Sequence, residues 1–209
     1  MGADKLWLDV GGRPLVAWTL DAIAGARRFD TVCVVAPPER WDDLREAATA
    51  AGIDDLRLVE GGEHRRDSVR AGLAAIPRAE HVLVHDAARP LCPPDVFHRV
   101  LDAAREHGAV TAAVPVVDSI KQVTAEGRVV RTLDRAELVA VQTPQGFRAD
   151  ILATAHRRAL ADDVRADDDC ALVERLGIEV RIVMGDPANL KVTRPADLDA
   201  VRAAVGAPA

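Results

Sequence analysis

His81-Val82-Leu83-Val84-His85-Asp86-Ala87-Ala88-Arg89-Pro90 is the stretch on which the fold turns. A short apolar run ends abruptly in an acid, two small residues and an arginine. That is the pattern of a buried strand delivering its carboxyl end to a ligand, the usual binding position in open α/β sheets. A carboxylate there can hold a metal or a ribose hydroxyl. The two alanines permit close approach, and Arg89 can fork onto a phosphate. The structural alternative is an aspartate that caps the next turn and pairs with Arg89, and these ten residues alone leave both readings open.

Outward from this stretch the same alternation repeats. Strand-like runs are expected at Thr31–Val35, Leu56–Val59, His81–Val84, Ala109–Val117, Arg128–Leu133, Leu138–Gln142 and Glu179–Met184. Helical periodicity covers Leu15–Arg27, Pro38–Ala51, Arg65–Ile76, Pro94–Glu106, Ala149–Leu160, Asp169–Leu176 and Ala196–Val205. Strands alternating with helices predict right-handed βαβ units, hence an α/β, Rossmann-like, mostly parallel sheet with helices on both faces. The rhythm breaks between about Asp118 and Phe147, where strand-like runs flank a turn at Glu126-Gly127 without a helix. A projecting antiparallel arm used for dimer contact and a plain edge hairpin fit this segment equally.

Composition narrows the class. The 209 residues suit one large domain, and 49% hydrophobic with 29% charged residues is ordinary for a globular chain. A net charge of −6 argues against a nucleic-acid partner. No apolar run reaches membrane-spanning length, and the amino terminus lacks the features of a signal peptide. Cys33, Cys92 and Cys170 are odd in number and widely spaced, so they read as reduced thiols and the expected location is cytoplasmic.

Other segments can carry chemistry. Glu60-Gly61-Gly62-Glu63-His64-Arg65-Arg66-Asp67-Ser68 places two glycines between a strand and a helix, able to present backbone N–H groups. Glu63 would repel phosphate there, which favours a base or ribose as guest; a simple turn is the alternative. Lys191, flanked by Leu190 and Val192 ahead of a helix, can reach phosphate oxygens or stand exposed, and Lys5 has the same two readings. At Asp167-Asp168-Asp169, helix capping is expected of at least two of the acids. His81 and His85 alternate onto one strand face and read as packing rather than zinc ligands.

Taken in order, several motifs resemble one family. They are Gly11-Gly12-Arg13-Pro14-Leu15, Gly61-Gly62-Glu63-x-Arg65-x-Asp67-Ser68-Val69, His85 to Pro90, Asp118-Ser119-x-Lys121, Thr143-Pro144-Gln145 and Lys191-Val192-Thr193. Over essentially the whole chain they are similar to 2-C-methyl-D-erythritol 4-phosphate cytidylyltransferases, of the nucleotide-diphospho-sugar transferase type of fold. The resemblance implies a reaction of CTP with methylerythritol 4-phosphate, with Mg²⁺ present, giving 4-diphosphocytidyl-methylerythritol and pyrophosphate in non-mevalonate isoprenoid biosynthesis.

By the same resemblance Lys5 and Lys191 are the catalytic cations. Gly61, Gly62, Glu63, Ser68, Asp86 and Ala87 bind the nucleotide, and Asp86 also helps place the metal. Asp86, Arg89, Ser119, Arg135 and Thr143 serve the acceptor. Ser119 and Arg135 would act on the partner's site in a homodimer built through an arm spanning about 118–147 of a single 1–209 domain. Glu63 and Ser119 stand where the family has Asp and Thr, and Asp167 stands where a Thr is common.

Family members open with a strand and a Gly-rich triphosphate loop, and Met1-Gly2-Ala3-Asp4-Lys5 falls in the tail of that loop. The expectation is therefore a sheet lacking its first strand, and weak or no CTP turnover. A ribitol 5-phosphate cytidylyltransferase and a catalytically silent binding or scaffold protein are the competing readings.

Overall fold

The computed structural model describes residues 3–164 and 166–206. Its strands are β1 (Asp9–Val10), β2 (Arg13–Pro14), β3 (Val32–Val35), β4 (Leu56–Val59), β5 (His81–Val84), β6 (Ala109–Pro115), β7 (Lys121–Val123), β8 (Val129–Thr132), β9 (Val139–Arg148) and β10 (Arg181–Met184). The helices are α1 (Leu15–Ala26), α2 (Trp41–Ala51), α3 (Arg65–Ala75), α4 (Pro94–His107), α5 (Ala149–Ala161), α6 (Asp169–Glu174) and α7 (Pro195–Ala204). Pro94 opens α4 at a position where its missing N–H costs nothing, and Gly108 ends the helix in the left-handed region with φ 83°.

Four strands form the central sheet in the order β10-β6-β9-β5. β10 runs parallel to β6, while β9 is antiparallel to both β6 and β5, so β5, β6 and β10 share one direction. The reversal in β9 is longer than its sequence pattern suggested. The strand continues through Thr143-Pro144-Gln145 to Arg148, with six consecutive residues from Gln142 to Phe147 buried. Polar residues inside a strand hide it from periodicity, and here Gln142, Thr143 and Gln145 spend their polarity on buried hydrogen bonds.

β3 and β4 pair in parallel with each other and, among the described residues, with no other strand. Two helices nevertheless span the space between β3 and β5. On one face, Gly72 of α3 sits against Cys33 and Val35, while the next residue, Leu73, packs in the cluster holding Val82 and Val84. On the other face, Val16 and Leu20 of α1 cluster with Val32 and Val34, and Ala22, Ile23 and Ala26 cluster with Leu83. The sheet is thus present in two pieces held under common helices. The mostly parallel, helix-covered architecture is as expected, with the sheet interrupted between β3 and β5.

Among the described residues β7 and β8 pair only with each other, and every residue of both is exposed. The segment stands off the sheet as a two-stranded arm. All three cysteines are free. None of the described helices is long and apolar enough to cross a membrane.

Candidate active site

The carboxyl end of β5 enters a cavity of about 160 Å³ lined by Arg65, Asp86, Arg89, Thr143, Asp168 and Lys191, among others. Three chain segments meet here for identifiable reasons. The Asp86 backbone N–H donates to the Thr143 hydroxyl at 2.9 Å, fastening the end of β5 to β9. Val192 N–H donates to the Ala88 carbonyl at 2.8 Å, and Arg89 Nη1 donates to the Asn189 carbonyl at 2.7 Å. Asn189, fully buried, donates to the Thr143 carbonyl at 2.8 Å. Backbone-directed bonds of this kind fix where Lys191 leaves the chain.

The charges are arranged around one carboxylate. Lys191 Nζ lies 2.9 Å from Asp86 Oδ2, and Arg89 Nε lies 3.6 Å from the same oxygen. Burial pushes the Asp86 carboxyl up, but the Lys191 hydrogen bond and the charges of Lys191, Arg65 and Arg89 outweigh it and hold the group below the usual carboxylate range. Arg89 is mostly enclosed, whereas Lys191 keeps 43% of its side chain exposed and so can shift to a ligand.

Behind them His85 packs edge-on to Phe97 with centroids 5.0 Å apart, and desolvation lowers its pKa to about 4. Its neutral ring sits 3.2 Å from the Thr143 hydroxyl through Nδ1 and 3.3 Å from the Arg89 carbonyl through Nε2. Because Thr143 accepts from Asp86 N–H, its own proton is free for Nδ1, and Nε2–H then donates to Arg89. His85 is therefore packing, as its strand position suggested, and also a brace for the site.

Of the residues singled out in the sequence, Asp86, Arg89, Thr143 and Lys191 share this cavity. The Asp86–Arg89 pair offered as the structural alternative exists, but it is the rim of the cavity rather than a closed cap. Ala87 does not line the cavity, and its carbonyl accepts from Thr19 Oγ1 at 2.8 Å. Gly61, Gly62 and Glu63 form a separate exposed turn ahead of α3, closed by Gly62 N–H donating at 3.2 Å to the Oγ of Ser68, a half-buried residue in the first turn of that helix. A Cβ on Gly62 would stand 2.4 Å from that of Asp67, so this close approach requires glycine.

Lys5 occupies a short 3₁₀ turn, Ala3–Trp7, and does not line the cavity. Ser119 and Arg135 lie on the exposed arm, Arg135 donating to the Val117 carbonyl at 2.9 Å. Among Asp167-Asp168-Asp169 only Asp168 caps α6 through its side chain, accepting from Ala171 N–H at 2.8 Å. The expectation of two capping acids is corrected by Asp169, which is instead buried in an ion pair with Arg65 at 2.7 Å. Arg65 and Gln145 lie within the family motifs without a role of their own there; an arginine at the first helical position, three residues after Gly62, was the available signal for the first.

A cation–carboxylate cluster at a strand's carboxyl end stands where open α/β sheets bind their ligands, and its cations suit a phosphorylated one. The family follows from comparison. A family model for 2-C-methyl-D-erythritol 4-phosphate cytidylyltransferase (IspD) matches residues 1–206, and the chain belongs to that family.

The cytidylyltransferase of that name from Thermosynechococcus vestitus is 46% identical over 204 residues, covering 95% of this chain and 86% of the relative. The Nocardia farcinica enzyme is 48% identical over 195 residues, covering 93% and 82%. Among solved structures, the 4-diphosphocytidyl-2C-methyl-D-erythritol synthase of Anaerococcus prevotii superposes with a TM-score of 0.89 at 28% identity, covering 98% of this chain and 94% of that one. The Thermus thermophilus cytidylyltransferase gives 0.81 at 36% identity, covering 97% and 93%.

Proposed function

We propose that the chain joins CTP and 2-C-methyl-D-erythritol 4-phosphate, giving 4-diphosphocytidyl-2-C-methyl-D-erythritol and pyrophosphate. The observation that carries this reading is the convergence of Lys191, Arg89 and Asp86 in one cavity of a chain belonging to the cytidylyltransferase family. An acceptor phosphate oxygen attacks the α-phosphorus, a new P–O bond forms, and the bond to the departing pyrophosphate breaks. Two anions must meet, so the protein's task is charge neutralisation and alignment. Lys191 transfers its attention from Asp86 to the α-phosphate, Arg89 and Thr143 hold the acceptor side, and Asp86 takes sugar hydroxyls. Gly61, Gly62, Glu63 and Ser68 face the base and ribose, with Ala87 beside them, and Lys5 is the second cation.

Mg²⁺ is the cofactor this reading calls for, and it supplies charge neutralisation at the phosphates. Asp86 fits the role because both of its ion pairs are to Oδ2, leaving Oδ1 available. Mg²⁺ commonly takes one or two carboxylates and completes its shell with phosphate oxygens and water. That suits a site where, among the described residues, no cluster of three or more His, Cys, Asp or Glu could hold a metal.

The arm is proposed as a homodimer contact that brings Ser119 and Arg135 to the partner's cavity. Its exposed Val117, Val123, Val129 and Val130 support this reading. The free cysteines support a cytoplasmic location. Pyrophosphate release with CTP and either methylerythritol 4-phosphate or ribitol 5-phosphate tests the activity. Release only with methylerythritol phosphate is expected; a preference for ribitol phosphate, or no release with either acceptor, overturns the reading.

A further inference from the structure

We propose that Arg65 is a substrate-contacting cation of this cavity, meeting a phosphate oxygen, and that the buried Asp169 and His156 are the positioning residues that present it. The proposal deepens the phosphate-transfer reading above and rests on it. Arg65 is the first residue of α3, remote in sequence from β5 and Lys191, yet it lines the same cavity as Asp86, Arg89 and Lys191.

What holds it there is unusual in cost. Asp169 is fully buried, its Oδ2 2.7 Å from Arg65 Nη2 and its Oδ1 accepting from His156 Nε2 at 2.8 Å. Its backbone N–H donates to the Gln145 side chain at 3.1 Å. A buried carboxylate carries a penalty of several kcal/mol unless it is well paired. Burial raises the Asp169 pKa, but the His156 hydrogen bond and Arg65 outweigh it and keep the group ionised. His156 is itself 1% exposed, and its Nδ1 is buried without a partner. An unprotonated Nδ1 is the tolerable state there, so the ring proton is on Nε2 and directed at Asp169.

The neighbouring arginine shows that this is not mere anchoring. Arg66 donates its Nη1 to the Val164 carbonyl at 2.7 Å and to the Ala159 carbonyl at 3.4 Å, a structural use of the guanidinium. Arg65 is recorded against Asp169 alone among the described residues, with 34% of its side chain exposed on the cavity. Of the cavity's three acids, Asp86, Asp167 and Asp168, two are engaged elsewhere. Asp86 is taken by Lys191, and Asp168 by Gln145 Nε2 at 3.0 Å and the α6 cap. Most of Arg65's five N–H donors are therefore left for a ligand, and its planar fork matches phosphate.

The test combines steady-state pyrophosphate release with calorimetric titration of inorganic pyrophosphate, at a temperature where circular dichroism shows each variant folded. Arg65→Gln is expected to lower kcat/KM by about 100-fold, the loss typical of one charge-stabilising donor, and Asp169→Asn by about 10-fold. The double variant should be no slower than Arg65→Gln alone, because both changes break one device. His156→Gln keeps an N–H where Nε2 stood and should stay within about threefold of the parent, whereas His156→Leu should fall with Asp169→Asn.

Multiplicative losses in the double variant, or unchanged kcat/KM in Arg65→Gln, overturn the proposal. So do variants of Asp169 and His156 that melt earlier yet turn over normally while folded. If the parent protein itself releases no pyrophosphate, the functional reading fails and the titration decides this one. About tenfold weaker pyrophosphate binding in Arg65→Gln upholds the contact, and equal binding, or none by either protein, overturns it.

Discussion

The two halves of the sheet are built from similar sequence and end in different states. β6 has five consecutive buried residues, Ala109–Ala113, clamped between β9 and β10 with α4 packed alongside. β3, richer in valine, has all four residues only half-buried, because its one strand partner among the described residues is β4. β-branched composition makes a strand; closure on both edges makes it a core. The cavity with Asp86 and Lys191 is supported by the closed half, and the Gly61-Gly62 turn follows the open one. The side proposed for the acceptor is therefore more firmly built than the side proposed for the nucleotide.

The comparison can be broken in several ways, the largest first. Lys191→Ala removes a cation from the closed half and should reduce kcat/KM by about 100- to 1000-fold with the melting temperature nearly unchanged, since the side chain is exposed. A large fall in melting temperature with unchanged turnover would assign Lys191 a structural role. Phe147→Ala, which empties a fully buried position on β9, should cost about 3–5 kcal/mol in denaturant unfolding. Val34→Ala on β3 should cost only about 1 kcal/mol, since the site is half-buried. Equal losses would mean that the open half is as tightly packed as the closed one.

A smaller effect comes from His85. Its folded-state pKa lies near 4, below the ordinary 6.5, because burial disfavours the charged ring. The unfolded chain therefore binds the proton first, and the stability contributed by the neutral ring is lost as pH falls from about 6.5 to about 4. Melting temperatures across that window should decline, and His85→Gln should flatten the decline. A slope indifferent to this substitution would remove His85 from the account.

Most of the architecture is legible in the sequence. The helix and strand boundaries predicted from periodicity and from Pro and Gly punctuation fall within a few residues of those observed, as at Pro94–His107 and Leu56–Val59. The carboxyl part of β9, beyond the strand expected at Leu138–Gln142, was not legible, because Thr143 and Gln145 read as a polar loop until their buried partners are seen. For the site, Asp86, Arg89, Thr143 and Lys191 could be picked out by residue type and family motif. Their juxtaposition could not, since it depends on contacts such as Asn189 to Thr143 that link distant segments. Asp169 shows the same limit: next to a helix start, an acid reads as a cap, and only burial against His156 and Arg65 gives it another role.

Residue-level hydrogen exchange, with and without substrates, tests the central contrast directly. The account predicts β6 and β9 amides exchanging only through global unfolding and β3 amides exchanging orders of magnitude faster. Adding CTP and methylerythritol phosphate should raise protection around Asp86–Arg89 and Leu190–Val192. Uniform protection across β3 and β6, or no change at those two segments on adding substrates, would contradict it.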